Sequence, residues 1–276
     1  MSQRPLVVKF GGELLEDASR LKTIVAAVAA IAGDTPLLIV HGGGREIDAA
    51  LKVAGIEKHQ VDGLRVTDEA TLDVVVAVLA GTVNTRLVAA LNTAGVPAVG
   101  LTGADARCGL SERAPAHRSV DGRTVDLGCV GVPSIGANAR LVTALLRDGF
   151  VPVVASIGIG EDGQLLNVNA DTFAGHLSAR LGARRLVVAG TTPGVLGATG
   201  ETLPELESDA IARIVTDGTA TAGMIAKLRA CEHALAGGVD DVLIVDGRDG
   251  PAIEASAAGG VPAAATRLVG RVTQTM

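Results

Sequence analysis

The chain has 276 residues, of which 48% are hydrophobic, so it can bury a substantial core as one domain or as two lobes. Val, Leu, Ile and Ala carry nearly all of the apolar content, which favours an α/β fold with a mainly parallel sheet covered by helices. The formal net charge is −6 and no basic patch is present, which argues against a nucleic-acid partner.

Cys108, Cys129 and Cys231 are isolated, odd in number and without Cys-x-x-Cys spacing. We therefore expect neither a disulfide framework nor a zinc site, and a cytoplasmic location. A strand predicted within a few residues of the N-terminus leaves no room for a signal peptide. No uncharged run reaches the roughly 18 residues of a membrane span, so we expect no membrane partner.

The first part of the chain predicts the order β-α-β-α, with a right-handed parallel crossover. The predicted strands are residues 6–10 and 37–40, and the predicted helices are residues 18–31 and 46–54. Because ligands bind at the carboxyl ends of parallel strands, the residues that follow the two strands are expected to share one site.

Three consecutive glycines, residues 42–44, separate the second strand from its helix. Without a Cβ in the turn, backbone N–H groups can approach an anion at the positive end of the helix dipole. A tight turn without a ligand is the alternative, because the run is neither Gly-x-Gly-x-x-Gly nor a P-loop.

Lys9 lies near the end of the first buried strand, before Gly11 and Gly12. A buried ammonium is costly unless it points into a site, so Lys9 and the two glycine turns together suit a polyphosphate. A lysine that reaches solvent from the strand edge is the alternative.

Residues 58–66 predict a loop or short hairpin, and Asp68 is a plausible cap for a helical region through residue 93 that could break at Gly81. Arg65 follows Gly63 and Leu64 just before this helix. Arginine is the natural bidentate partner of a carboxylate, and a surface ion pair is the alternative.

The middle of the chain alternates strands with irregular segments. The predictions are a strand at 96–101, irregular hairpins at 102–136, a helix at 139–147, a strand at 151–156, a short strand or turn at 164–169 and a helix at 171–181. If residues 167–171 are extended, Asn167, Asn169 and Asp171 share one side, where Asp171 could hold two cations. Turn asparagines followed by a helix cap are the alternative.

The last third of the chain predicts a second α/β unit. Its elements are strands at 185–189, 241–246 and near 263–269, helices near 204–215, 222–236 and 251–258, and a turn at 190–194. Lys227 near the start of an apolar helix opposes the helix dipole, which hints at function. The lobe boundary is expected at 172–184, which gives lobes of residues 1–175 and 176–276 within a single domain of residues 1–276. His41 is expected to pack or to hydrogen-bond locally rather than to catalyse.

Five motifs in order resemble the amino acid kinase family over essentially the whole chain, and within it the branch that phosphorylates the side-chain carboxylate of N-acetyl-L-glutamate for arginine biosynthesis. They are Lys9-Phe10-Gly11-Gly12, His41-Gly42-Gly43-Gly44, Gly63-Leu64-Arg65-Val66-Thr67, Asn167-Val168-Asn169-Ala170-Asp171 and Gly223-Met224-Ile225-Ala226-Lys227. The resemblance implies a three-layer αβα sandwich, with an N-terminal lobe for the acyl substrate and a C-terminal lobe for ATP.

The resemblance also implies roles for individual residues. Lys9 and Lys227 would stabilise the transferring phosphoryl group, and Asp171 would hold both lysines. The substrate-binding residues would be Gly43, Gly44, Arg65, Asn167 and Asn169. The phosphate- and nucleotide-binding residues would be Gly11, Gly12, Gly190, Thr191, Gly194 and Met224. Mg²⁺ would be carried on the ATP phosphates, with no metal ligands from the protein.

Three alternatives stay open at this point. The first is a kinase for aminoadipate or glutamate on the carrier protein LysW, and the second is a regulatory protein with a kinase fold. A Rossmann oxidoreductase is the third. Arginine-inhibited hexamers in the family carry an extra helix before the first strand, and Lys9 leaves no room for one, so we expect a homodimer that arginine does not inhibit.

Overall fold

The computed structural model describes residues 3–119, 121–197, 199–216 and 222–270. The strands in chain order are β1 (Leu6–Phe10), β2 (Leu37–His41), β3 (Gln60–Val61), β4 (Leu64–Arg65), β5 (Ala98–Thr102), β6 (Ser111–Arg113), β7 (His117–Arg118), β8 (Thr124–Val125), β9 (Val130–Pro133), β10 (Val151–Ala155), β11 (Ile157–Ile159), β12 (Leu165–Val168), β13 (Arg185–Gly190), β14 (Glu205–Glu207), β15 (Asp241–Asp246) and β16 (Thr266–Val269).

The helices alternate with these strands. They are α1 (Gly12–Leu15), α2 (Ala18–Ala32), α3 (Gly44–Val53), α4 (Glu69–Val76), α5 (Thr85–Thr93), α6 (Arg140–Arg147), α7 (Ala170–Arg180), α8 (Ser208–Thr216), α9 (Ala222–Ala236) and α10 (Gly250–Ala257). A π-helical segment, Ala77–Asn84, joins α4 to α5, and a short 3₁₀ turn, Asp105–Arg107, follows β5.

An eight-stranded sheet forms the centre of the molecule, in the order β14-β16-β15-β13-β1-β2-β10-β5. All neighbouring strands are parallel except β15 and β16. The pair β1 and β2 lies in the middle, with Lys9 opposite Val40 of β2 and Val188 of β13. The carboxyl ends of β1 and β2, which are followed by the glycine turns, are therefore adjacent.

Helices cover both faces of the sheet, which confirms the predicted three-layer sandwich. One core contains Leu6, Val8 and Phe10 of β1 with residues of α2, α10 and the helices between residues 69 and 93. The opposite core contains Val7 of β1 with residues of α6, α7, α8 and α9. Successive strand residues face opposite layers because the side-chain period of a strand is two.

A smaller four-stranded sheet, in the order β11-β12-β9-β6, begins where β10 ends, because β11 follows Ser156 directly. The hairpins β3-β4 and β7-β8 lie outside both large sheets. The predicted irregular stretch 102–136 thus contains short strands of the small sheet and one hairpin.

Several predicted boundaries need correction. Helix α3 begins at Gly44 instead of residue 46, so the last glycine of the turn is already helical. The helical region does not break at Gly81, because the wider π-helical turn absorbs it. The segment predicted as a helix from 204 begins with β14, which pairs with β16. The expected lobe boundary between residues 175 and 176 lies within helix α7, and the division into two lobes stays a prediction.

The continuous helix Glu69–Thr93 is, by length and composition, the one described helix that is long and apolar enough to cross a membrane. Its buried residues Val75, Leu79, Val83 and Leu87 belong to the core against the central sheet. Core helices pass the same test of length and hydropathy, so we treat this helix as part of the core layer.

Candidate active site

The two glycine turns meet backbone against backbone. A Cβ built on Gly12 would lie 2.5 Å from the Cα of Gly43, a separation that no side chain permits. A Cβ on Gly44 would meet nothing within 4 Å. The turns after β1 and β2 therefore form one continuous wall, and its open side lies at the N-terminus of α3.

Lys9, Asp171 and Lys227 form a buried charged cluster beside this wall. Lys9 Nζ lies 2.9 Å from Asp171 Oδ1, and the two side chains are 9% and 13% exposed. The contact is ionic in geometry, since Asp171 Oδ1 has no well-aligned hydrogen-bond donor among the described residues. The Lys227 ammonium comes from α9, and a Cβ built on Gly190 would lie 3.3 Å from its Nζ. The cluster thus brings two cations to one carboxylate.

The excess of positive charge in this cluster shifts the pKa values of Asp171 and Lys227. Burial raises the pKa of Asp171, but the charges of Lys9 and Lys227 outweigh it and hold that pKa below its usual value. Burial lowers the pKa of Lys227, and Lys9 lowers it further, while Asp171 raises it without restoring the usual value. An anion that enters between the lysines would supply the missing negative charge.

Arg65 lies at the end of the β3-β4 hairpin with its guanidinium in the cavity. Its Nη2 donates to Asp48 of α3 and, at 3.3 Å, to the carbonyl oxygen of Gly44. Its Nη1 is buried and has no hydrogen-bond partner among the described residues. Asp48 also accepts from Lys58 at 2.6 Å. Asp48 therefore orients Arg65, and Nη1 keeps a donor for a ligand such as a carboxylate.

The sequence pattern left open whether residues 167–171 are extended. In the structure only the first part of this segment is extended. Strand β12 ends at Val168, and the Asn169 side chain caps α7 by accepting from the N–H groups of Asp171 and Thr172. Asp171 is therefore free to face the lysines instead of capping the helix. Asn167 donates to Thr67 Oγ1 at 3.0 Å, which links the small sheet to the segment after Arg65.

A cavity of about 250 Å³ joins these elements. Its predicted wall residues are Lys9, Gly11, Gly12, Gly43, Gly44, Arg65, Asn167, Asn169 and Asp171. It is large enough for a small acyl amino acid and the terminal phosphate of a nucleotide. The structure thus brings together the predicted residues of the first 175 positions.

Of the predicted phosphate- and nucleotide-binding residues, Gly11 and Gly12 line this cavity, whereas the other four do not. Gly190 ends β13 and leaves space for the Lys227 ammonium. Gly194 has a φ of +79°, and a Cβ there would lie 2.5 Å from Thr266 Oγ1. Thr191 lies between these glycines and is half-buried, and Met224 packs at the edge of the core near the start of α9.

Three polar residues that line or build the site were not predicted from the sequence. Glu13 lines the cavity, with its Oε1 lying 2.5 Å from the Cβ position of Gly11. Ser156 lines it from the carboxyl end of β10, and Asp48 orients Arg65 from α3. Glu13 follows β1 and its glycine turn, and Ser156 follows β10 directly, so the carboxyl ends of these strands were the available signal.

In the part of the chain that the structure describes, no group of three or more His, Cys, Asp or Glu side chains could hold a metal ion. The cavity contributes the carboxylates of Glu13 and Asp171, and Asp171 faces lysines. This donor set fits a divalent cation that arrives on a phosphate ligand better than one held in a protein cage.

Comparison with known proteins agrees with this architecture. Acetylglutamate kinase of Novosphingobium aromaticivorans is 39% identical over 256 residues, which cover 89% of this chain and 84% of the relative. The crystal structure of smu.665 from Streptococcus mutans UA159 is 29% identical, with a TM-score of 0.75 over 87% of this chain and 94% of that chain.

A second solved structure shows the fold alone. N-acetylglutamate synthase from Neisseria gonorrhoeae, complexed with coenzyme A and N-acetyl-glutamate, has a TM-score of 0.81 at 23% identity, over 98% of this chain and 60% of that one. Residues 4–246 of this chain match the amino acid kinase family itself. The chain therefore belongs to the amino acid kinase family.

Proposed function

We propose that the chain phosphorylates the side-chain carboxylate of N-acetyl-L-glutamate with ATP, giving N-acetyl-L-glutamyl 5-phosphate. The observation that carries the proposal is the open cluster of Lys9, Asp171 and Lys227 beside the paired glycine turns. Relatives about 40% identical over most of the chain are acetylglutamate kinases, which supports this acyl substrate.

The chemistry needs no general base, because the attacking group is already a carboxylate. The γ-carboxylate oxygen attacks the terminal phosphorus of ATP, and the bond from that phosphorus to the bridging oxygen breaks, which releases ADP. Catalysis then rests on in-line positioning and on neutralising the phosphoryl oxygens. Lys9 of β1 and Lys227 of α9 supply positive charge. The N–H groups of the glycine turns, at Gly12, Gly43 and Gly44, supply hydrogen-bond donors.

The proposed substrate-binding roles rest on one unsatisfied donor and on two asparagines that line the cavity. Arg65 Nη1 is buried without a partner, which suits the α-carboxylate of the substrate. Asn167 and Asn169 line the same cavity and offer amide groups to the N-acetylamino end. Asp171 holds both lysines apart at a fixed distance from the transferring group.

The nucleotide is proposed to lie on the β13 side, along Gly190, Thr191, Gly194 and Met224, with its terminal phosphate between Lys227 and the paired glycine turns. Gly11 would contribute at the start of α1. Mg²⁺ bound to the ATP phosphates would neutralise part of their charge. In this division residues 1–175 serve the acyl substrate and residues 176–276 serve the nucleotide.

We also propose a cytoplasmic homodimer. Cys108, Cys129 and Cys231 are all unpaired thiols, which supports a reducing compartment. The helix Glu69–Thr93 is strongly apolar, yet only 39% of its most hydrophobic window is buried. A second copy packed on that helix would cover the remainder, and light scattering should give the mass of a dimer. A monomeric mass at micromolar concentration would contradict the dimer.

A hydroxamate assay tests the proposed activity directly. Purified chain with ATP, Mg²⁺ and N-acetyl-L-glutamate should form an acyl phosphate that hydroxylamine traps. Glutamate without the acetyl group is the matched control and should react far more slowly, because its ammonium replaces the amide. A well-folded protein that shows no turnover at high concentrations of both substrates would overturn the proposal.

A further inference from the structure

His41 is a fully buried histidine to which phosphoryl transfer assigns no role. It ends β2 directly before the triglycine turn and has no exposed surface. Its Nδ1 lies 3.1 Å from the carbonyl oxygen of Gly42, and its Nε2 lies 3.0 Å from Nδ2 of Asn84. Asn84 is itself buried, at the end of the π-helical segment.

The partners of Asn84 determine which ring nitrogen of His41 carries the proton. Asn84 Nδ2 also lies 2.9 Å from the carbonyl oxygen of Val153, which can only accept. The amide therefore presents its NH₂ group to both neighbours and donates to His41 Nε2. The proton of a neutral imidazole then resides on Nδ1, which donates to Gly42.

The charge state of the ring agrees with this assignment. Burial, together with the charge of Arg86, lowers the pKa of His41 to about 4, although the hydrogen bond to Gly42 opposes this shift. The ring is therefore neutral at physiological pH, with one donor and one acceptor, and each has a partner.

The hydrogen bond to Gly42 fixes one peptide plane of the glycine turn. The peptide between Gly42 and Gly43 is trans, so its N–H points away from its carbonyl group. Because the Gly42 carbonyl faces the His41 ring, the Gly43 N–H points away from that ring, and Gly43 lines the same cavity as Lys9 and Asp171. Within the described residues no hydrogen bond occupies that N–H.

We propose that Asn84 and His41 are positioning residues that hold the Gly43 amide towards the transferring phosphoryl group. Peptide planes between glycines can flip at little cost, so a donor in this turn needs an external restraint. A donor that is already aimed when charge develops contributes most to the transition state. The inference deepens the proposed function and rests on it.

Two substitutions of His41 separate positioning from simple packing. In His41→Asn the short amide places a donor near the former Nδ1, so the Gly42 carbonyl keeps its hydrogen bond. In His41→Gln the longer amide reaches Asn84 but leaves the Gly42 carbonyl without a donor. Both replace the imidazole by an amide, and the shorter Asn leaves the larger cavity, so packing loss alone would harm His41→Asn more than His41→Gln.

The positioning role predicts different kinetics for the two variants. We expect His41→Gln to lower kcat about 10- to 100-fold at nearly constant KM for both substrates, and His41→Asn to stay within about fivefold of the parent chain. Ser256→Ala is the stability control, since it removes a buried hydrogen bond to Ala252 in α10 and should leave kcat unchanged.

Equal losses of kcat in both His41 variants, or losses confined to KM, would overturn the proposal. The imidazole ¹⁵N resonances of the unmodified chain give a readout that needs neither turnover nor a variant. We expect the Nδ1-protonated tautomer at neutral pH, and an Nε2-protonated ring would overturn the inference even in an active enzyme. Absence of turnover in the unmodified chain would instead contradict the proposed function, while the tautomer result stands separately.

Discussion

The central sheet holds two buried ion pairs, one at each end of the neighbouring strands β1 and β13, and they differ in how completely they are satisfied. At the amino end, Arg185 donates to both carboxylate oxygens of Asp241, at 2.8 and 2.6 Å, and to two backbone carbonyl oxygens. Arg267 donates to the same carboxylate at 2.9 Å. At the carboxyl end, Asp171 Oδ1 lies 2.9 Å from Lys9 Nζ without a well-aligned hydrogen bond, and the charge of Lys227 also acts on it.

This difference indicates that the pair at the amino end stabilises the sheet, whereas the cluster at the carboxyl end remains available to bind a ligand. A buried pair whose donors and acceptors are all satisfied holds strands together and has nothing left to offer a ligand. A carboxylate that holds two buried cations leaves excess positive charge, which favours an incoming phosphate. The carboxyl ends of parallel strands leave room for such a cluster, because the chain there turns into loops and helix N-termini.

The largest expected effect breaks the pair at the carboxyl end. Lys227→Ala should lower kcat by about 10²- to 10³-fold, with a small change in KM for N-acetyl-L-glutamate, because the lysine acts on the transition state. Stability to urea should hold or rise, since burial and Lys9 both disfavour the Lys227 charge. Lys52→Ala, on the exposed side of α3, is the control. A change restricted to KM would assign Lys227 to ground-state binding instead.

The converse result is expected at the amino end. Asp241→Asn should cost about 3 kcal/mol of unfolding free energy, because Arg185 and Arg267 lose their shared counter-charge in the interior. Activity at 25 °C should stay within about twofold, since the pair is far from the reacting atoms. Asp240→Asn is the matched control at the next position, where the pair with Arg4 is exposed and should contribute less than about 1 kcal/mol. Similar losses in both variants would remove the contrast between the two ends.

A smaller effect on stability is expected within the glycine turns. Gly12→Ala places a methyl group 2.5 Å from the Cα of Gly43 and should cost about 1–3 kcal/mol, with a loss of kcat as the turns separate. Gly44→Ala meets nothing within 4 Å and should leave unfolding free energy nearly unchanged, so any effect should fall on KM. Urea titration and steady-state kinetics on both variants measure this. Equal destabilisation would mean that the turns are not in contact.

The last expected effect, and the one with the smallest change in stability, is a pH dependence whose sign differs between activity and stability. Because the pKa of Lys227 is lowered, activity should decline with rising pH below the usual range for lysine, as Lys227 loses its proton. Stability should rise in the same window, since the unfolded chain binds that proton more tightly. In acid, the contribution of Asp171 is fully present above its unfolded pKa and is lost as pH falls through its lowered folded pKa.

Lys227→Arg provides the check on the alkaline side. Arginine keeps its charge throughout the range, so the alkaline decline should move to higher pH even if the plateau falls. A decline that stays at the same pH would assign it to another group. The pH profile of kcat at saturating substrates, together with urea midpoints at the same pH values, supplies both measurements.

Most of the fold could be predicted from the sequence because its central strands are mainly apolar and many of its turns are marked by glycines. The runs at 6–10 and 185–189 are buried on both faces, which only the centre of a covered parallel sheet requires. The strand β14 was missed because its pairing with β16 depends on residues about 60 positions away. Local pattern also could not reveal that Asn169 rather than Asp171 caps α7.

The sequence by itself determined which residue types lie at the carboxyl ends of the strands, because glycine turns, a buried lysine and their order along the chain are local properties. The order of these motifs carries the resemblance that implied the family and the αβα layers, and nine of the predicted residues line the cavity. Only the tertiary structure decided which groups are satisfied. Asp48 takes up one side of Arg65 and Asn84 fixes the proton of His41, and both contacts join residues far apart in sequence. The positions of free donors follow from that packing, because a hydrogen bond needs its partner within about 3 Å.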